Sequence, residues 1–163
     1  MKPYFLYLRR ALCCAAACVP LWSGAVPIDA GAQWPMLELS DQHDKPVRIG
    51  RAIRLVIFAA EKPVSDLVIK VLGAQGSAVL DRAGPVYVAD ISVTPSIVMR
   101  IFALPKLREL PFQIGLASET AAVADLPRRP GEATVLTLKE GHVAQVRYAG
   151  TEAELHEALG LAT

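Results

Sequence analysis

From Leu55 to Ala60 the chain reads Leu-Val-Ile-Phe-Ala-Ala, without one polar side chain. A strand with one wet side alternates; a strand with no polar position is covered on both faces. Directly afterwards the period changes. Val64, Leu67, Val68, Val71 and Leu72 recur at i, i+3, i+4, i+7 and i+8, with Ser65, Asp66 and Lys70 on the other side. That spacing predicts an amphipathic helix, with Pro63 suited to its first turn and Gly73 the expected stop. A doubly buried strand feeding a helix restricts the chain to layered α/β folds.

The other segments fit such a layout. Leu37-Glu38-Leu39-Ser40 and Pro46-Val47-Arg48-Ile49 alternate on either side of an Asp-rich tip, predicting a β-hairpin. Val86–Ile91 predicts a strand. Thr94-Pro95 predicts an N-cap and first helical residue, ahead of Ile97, Val98, Ile101 and Phe102 at helical spacing. A weaker helical stretch is expected over 77–82. Pro105 and Pro111 break the chain beyond Phe102 into short pieces, and Phe112–Leu116 alternates as a strand. Residues 118–131 read as a loop with a stiff, exposed end at Pro127-Arg128-Arg129-Pro130-Gly131. The finish is clear: a strand at Thr134–Leu138, a turn, a strand at Val143–Tyr148, then a helix. Thr151 and Glu154 form its capping box and Gly160 stops it.

The N-terminus reads as an export signal. Lys2, Arg9 and Arg10 precede an apolar run from Ala11 to Trp22. That run is about 12 residues, whereas a bilayer span needs roughly 20. Ala30-Gly31-Ala32 ahead of Gln33 suits signal peptidase, so residues 1–32 are the expected signal peptide and 33–163 the domain. Ser23-Gly24-Ala25 offers an earlier cut. Ala15-Ala16-Ala17-Cys18 could be processed to an acylated Cys18, but Ala15 stands where leucine is usual. Arg9-Arg10 lacks the polar flanks of a twin-arginine signal. The expectation is general secretion, to the periplasm or beyond, with no transmembrane span in the mature chain.

All three cysteines, Cys13, Cys14 and Cys18, lie in this segment, so the expected mature chain has no thiol. It has about 130 residues, the size of one domain. The whole chain carries +1, and the mature part about −1, with few aromatics. Lacking a basic stripe and stacking residues, it is not expected to bind nucleic acid.

A hairpin, a buried strand, a helix, a strand, a helix and a closing hairpin plus helix resemble the thioredoxin fold in their order. Leu37 to Val47 looks like the extra N-terminal hairpin of peroxiredoxin-like and periplasmic thiol-reductase-like members. Ala133 to Gly141 is similar to the closing strand and turn of thioredoxins. The expected fold class is therefore α/β: a thioredoxin-like three-layer fold, its mixed central sheet carrying helices on both faces, with an N-terminal β-hairpin.

The resemblance implies a redox pair at the start of the helix after the buried strand, where unpaired N–H groups and the helix dipole stabilise a thiolate. The Cys-x-x-Cys window falls on Pro63, Val64, Ser65 and Asp66, with no cysteine. A hydroxyl such as that of Ser65 gains little acidity there and has no redox couple. The resemblance also implies a cis-proline immediately before the strand at Thr134, and Ala133 stands in its place. A cis bond before a non-proline residue costs ~2.5–4 kcal/mol, so a trans bond and an altered groove are expected. Pro95 is the alternative cis-proline position, but it would leave a second hairpin and helix unaccounted for.

Other candidates have simpler readings. His43, His142 and His156 lack zinc-ligand spacing and read as solvated. His43-Asp44 belongs to an ordinary turn, and Ser65-Asp66 to a helix start. Arg128 and Arg129 could clamp a carboxylate or phosphate, although a solvated loop suffices. Phe102, Leu104, Leu107, Leu110 and Phe112 read mainly as core, any exposed remnant marking a protein-binding patch. No catalytic residue, metal or cofactor is assigned. The functional expectation is an exported non-redox thioredoxin-fold protein, a binding or accessory module for an envelope protein or extended peptide. The alternative is a thiol-dependent oxidoreductase or peroxidase-like relative using a partner's thiols, against which the missing cysteines weigh.

Overall fold

The computed structural model describes residues 27–75 and 84–161. The three cysteines, including the lipidation candidate Cys18, and the weak helix at 77–82 lie outside the described residues.

The all-apolar run forms strand β3 (Leu55–Ala59) at the heart of a seven-stranded sheet. The other strands are β1 (Leu37–Ser40), β2 (Pro46–Ile49), β4 (Pro85–Asp90), β5 (Ile114–Ala117), β6 (Ala133–Lys139) and β7 (His142–Ala149), in the order β2-β1-β5-β4-β3-β6-β7. Strand β3 runs parallel to β4 and antiparallel to β6, and β4 runs parallel to β5, so the sheet is mixed. The expected hairpin is β1–β2, with Leu39 opposite Val47.

The missing polar positions of β3 are explained by two cores. Val56 and Phe58 face one, with Ile49, Val88, Leu136 and Leu138. Ile57 and Ala59 face the other, with Val64, Val68, Val71 and Leu72 from helix α1 (Lys62–Gln75). Each fully buried Val, Ile or Phe contributes ~1.5–3 kcal/mol over an exposed one, so a polar residue anywhere in Val56–Phe58 would cost the sheet heavily.

Helices α1, α3 (Leu104–Arg108) and α4 (Glu152–Ala158) cover the second core. Leu104 and Leu107 of α3 and Leu155 of α4 pack there beside α1. The other face is covered by a 3-10 helix (Thr120–Val123), Leu126 and an N-terminal segment bearing Ile28 and Trp34. That segment bonds to the later parts of the chain. Ile28 N–H donates to Asp125 O, Gly31 N–H to Val143 O, and Trp34 N–H to Gly141 O, while Val143 N–H donates back to Ala32 O.

Several local expectations change. α1 continues past Gly73 to Gln75; an interior glycine weakens a helix by ~1 kcal/mol without ending it unless a left-handed turn comes next. Pro95, not Thr94, is the N-cap of α2 (Ser96–Val98), without a side-chain cap. The Thr94 amide instead donates to Ile91 O, closing a turn. The chain then widens into a π-helical turn (Met99–Ala103) before α3. Pro105 comes immediately after; it lacks an N–H, and its ring conflicts with the i−4 carbonyl of a regular α-helix. Strand β5 begins at Ile114, not Phe112, and buries every residue instead of alternating, because it lies between β1 and β4 under cover on both sides. The C-terminal capping box forms as predicted: Thr151 Oγ1 accepts from Glu154 N–H, and Glu154 Oε2 accepts from the Thr151 amide.

Candidate functional site

Parallel strands β3 and β4 end together, with Ala59 beside Ala89. In open α/β sheets the carboxyl ends of the strands are where ligands bind. Here α1 starts just after β3, placing Pro63, Val64, Ser65 and Asp66 in its first turns. Pro63 is exposed, and Val64 is buried in the helical-side core. Asp66 is exposed and ion-pairs with Lys62 at 2.6 Å.

Ser65 is tied down from both ends. Its amide donates to Glu61 O at 2.9 Å, and its hydroxyl accepts from the Tyr87 hydroxyl at 2.6 Å. Tyr87 comes from the middle of β4 and is 1% exposed. Burial pushes its phenol well above the usual range and the Asp66 carboxylate adds to this, while the Ser65 bond acts the other way. Helix starts favour anions through spare amide donors. Pro63 removes one such donor, while the Ser65 amide makes the first regular i→i−4 bond of the helix, so the electrostatic basis for a stabilised anion is reduced as well as the sulfur missing.

Ala133 opens β6, fully buried opposite Ala149. All peptide bonds among the described residues are trans, including those at Ala133 and Pro95. Beside Ala133, the Thr134 hydroxyl donates to Pro127 O at 2.7 Å in a buried contact, so the loop lies over this strand end. The Gly131 amide reaches Glu61 Oε1 at 3.3 Å, drawing the same loop toward the start of α1.

Arg128 and Arg129 stay exposed at the loop end, as expected, but they diverge, contrary to a joint anion clamp. The Arg128 guanidinium sits 5.2 Å from the Phe58 ring centroid, donates to Val123 O at 2.6 Å and lies 3.5 Å from Asp90 Oδ2. Arg129 covers the Tyr148 ring at 3.8 Å, with Glu132 at 3.9 Å. The aromatic faces at the ends of β3 and β7 draw the two cations apart. Asp90, whose side chain is only 5% exposed, also accepts from the Ser92 amide at 3.0 Å and the Ser92 hydroxyl at 2.6 Å. Thr120 donates to Ser92 Oγ at 3.0 Å. Sequence reasoning misses the polar group Asp90–Ser92–Thr120–Arg128, although an Asp two residues before a Ser at a strand end is a recognisable Asx-turn signal.

The hairpin tip is turn chemistry. Asp41 Oδ1 accepts the amides of His43 and Lys45, and Asp41 Oδ2 accepts from Gln113 Nε2. Burial alone would raise its carboxyl; those three hydrogen bonds and the nearby His43 hold it below the usual range. His43 and His142 are exposed and His156 is half-buried, each on a different element. Among the described residues no cluster of metal-ligating side chains occurs, and no helix is long and apolar enough to cross a membrane.

The apolar residues around Pro105 divide. Leu104, Leu107, Leu110 and Phe112 pack partly buried on the helical-side core. Phe102 does not: it is 67% exposed, in company with Val93, Ile97, Val98 and Ile101. No residue from Val93 to Ala103 is buried, so α2 and the π-helical turn stand away from the sheet. This face begins in the turn that leaves β4, at the end of the sheet where α1 starts.

No protein-family model and no curated protein sequence matches the chain. Solved structures do. Peroxidoxin BcpB of Mycobacterium tuberculosis aligns with 16% identity and a TM-score of 0.57, over 82% of this chain and 95% of that one. A peroxiredoxin-like protein of Aquifex aeolicus aligns with 11% identity and a TM-score of 0.54, over 84% and 89%. A candidate thiol:disulfide interchange protein DsbE of Chlorobium tepidum aligns with 17% identity and a TM-score of 0.52, over 82% and 99%. Likeness at these identities speaks to fold alone.

Proposed function

This chain has a thioredoxin-like fold, and we propose that it is an exported binding or accessory module with no thiol chemistry of its own. Its place of work is the periplasm or beyond, and its partner another envelope protein or an extended peptide. One observation carries the reading: the start of α1, where the fold would carry its redox pair, is filled by Pro63-Val64-Ser65-Asp66, with Val64 in the core and Ser65 bonded to Tyr87. Disulfide exchange requires a thiolate at the attacking position, and this window offers none. The exposed apolar face from Val93 to Phe102 supports the binding role, since contiguous apolar surface of this kind marks interaction sites.

A second reading is favoured by what the similar structures are called, a peroxidoxin and a candidate thiol:disulfide interchange protein. In it, the chain takes part in thiol or peroxide chemistry through sulfur borne by a partner.

Insulin-reduction and peroxide-consumption assays separate the two. The exported protein should show no turnover above buffer, alone or with envelope extract. Turnover that appears only with extract, and survives Cys13→Ser, Cys14→Ser and Cys18→Ser together, would favour the second reading. Photo-crosslinking from position 101 in intact cells should give a discrete adduct. Ile101→Ser with Phe102→Ser should abolish partner capture while leaving the unfolding midpoint unchanged, both residues being exposed.

A further inference from the structure

We infer that the precursor is cut after Ala25, and that residues 27–34 remain in the mature protein as a strap over the β7 edge. The sequence offers two peptidase sites, Ser23-Gly24-Ala25 and Ala30-Gly31-Ala32. They differ in what the cut would destroy. A cut after Ala32 removes Ile28, which is 9% exposed and belongs to the same core cluster as Trp34, Val123, Leu126 and Val143. It also removes the donor to Asp125 O at 2.8 Å, and the reciprocal pair formed by Gly31 N–H to Val143 O (2.7 Å) and Val143 N–H to Ala32 O (2.9 Å). β7 is the last strand of the sheet, with an open edge that otherwise presents unpaired backbone groups. The strap covers the start of that edge, continuing through an antiparallel bridge between Gln33 and His142.

The small residues that resemble a cleavage motif have a conformational reason of their own. Asp29-Ala30-Gly31-Ala32 is a closed turn: the Ala32 amide donates to Asp29 O at 3.0 Å, and Asp29 Oδ1 accepts from the Ala30 amide at 2.7 Å. Gly31 stands at its third position with φ +90°, where a turn of this type calls for glycine. Gly31 is accounted for here by the turn, and Ala32 by its packing against the core, with no peptidase required. A cut after Ala25 leaves every one of these contacts in place.

The test uses the full-length gene expressed with its own signal, and the intact mass of the exported product. The expected N-terminus is Val26; any other, whether Met1, an acylated Cys18 or Gln33, overturns the assignment. Ala30→Phe, at an exposed turn position, should still give a product beginning at Val26, whereas Ala25→Phe should accumulate precursor. The reverse pattern overturns it. A separate reading comes from Ile28→Ala in the same exported protein. If Ile28 is retained and buried, the unfolding midpoint falls by roughly 5–10 °C. An unchanged midpoint means that the residue left with the signal or does not pack, and overturns the strap. None of these outcomes depends on whether the protein binds a partner or handles thiols.

Discussion

The hydroxyl pair between Tyr87 and Ser65 predicts an unequal response to removing its two halves. In Tyr87→Phe the ring keeps its place in the helical-side core and only the donor is lost. Ser65 is half-buried and can turn to water, so the cost should be that of one ordinary hydrogen bond, about 1 kcal/mol. Ser65→Ala is worse, because it strands a phenol hydroxyl on a residue that is 1% exposed. A buried polar group left without a partner costs ~1–3 kcal/mol, and about 2 is expected here. The double variant removes donor and acceptor together and should be no less stable than Ser65→Ala alone, giving a coupling on the order of 1–2 kcal/mol. In a domain of this size, each kcal/mol moves the thermal midpoint by roughly 3–5 °C. Urea unfolding of the four proteins, with unchanged m-values, would measure it. If the two single variants cost the same and simply add, the hydroxyls do not pair. The start of α1 would then be open to solvent, which removes the structural basis for a closed window.

The raised Tyr87 pKa carries a pH signature. The stabilisation is fully present below the ordinary tyrosine value of about 10 and is lost as pH rises toward the folded value. The wild type should therefore lose stability above about pH 10 more steeply than Tyr87→Phe, as read by denaturant midpoints against pH. Asp41 behaves in the opposite sense, its carboxyl being held low. Its contribution is present above about pH 4 and disappears as pH falls through the folded value, so Asp41→Asn should flatten the acid limb of a midpoint-versus-pH curve. Thr151→Ala should cost about 1 kcal/mol through loss of the N-cap, without altering partner capture. Calorimetry on the purified variant would show it.

Patterns that depend on local spacing are legible in the residues. The polar-free run of β3, the helical stripe of α1, the alternation of β1 and β2 and the Thr151 capping box all reappear where expected. Spacing misleads where it lacks its context. Ile97, Val98, Ile101 and Phe102 have the same helical spacing as the α1 stripe, yet they face solvent, because nothing local records whether a helix lies on a sheet. β5 reads as half-wet, although the two cores cover both of its faces. The site shows the same division. The placement of Pro63–Asp66 at the start of α1 comes from local pattern and resemblance. Their bonds do not, since Tyr87 lies 22 residues from Ser65 and Arg128 lies 38 from Asp90. The two arginines between Pro127 and Pro130 are exposed as they read, but the aromatic faces beneath them come from distant strands and leave no local trace.

The register between Gln33 and His142 joins positions roughly 110 residues apart, nearly the whole length of the domain. A chain threaded through a membrane amino end first therefore cannot lock its outermost strand until the last hairpin has emerged. Until then the Ile28 pocket is unbuilt, and the growing polypeptide must be carried as an open, protease-sensitive thread. On the export route proposed above, release from the machinery, not synthesis, would be the moment at which this molecule acquires its shape.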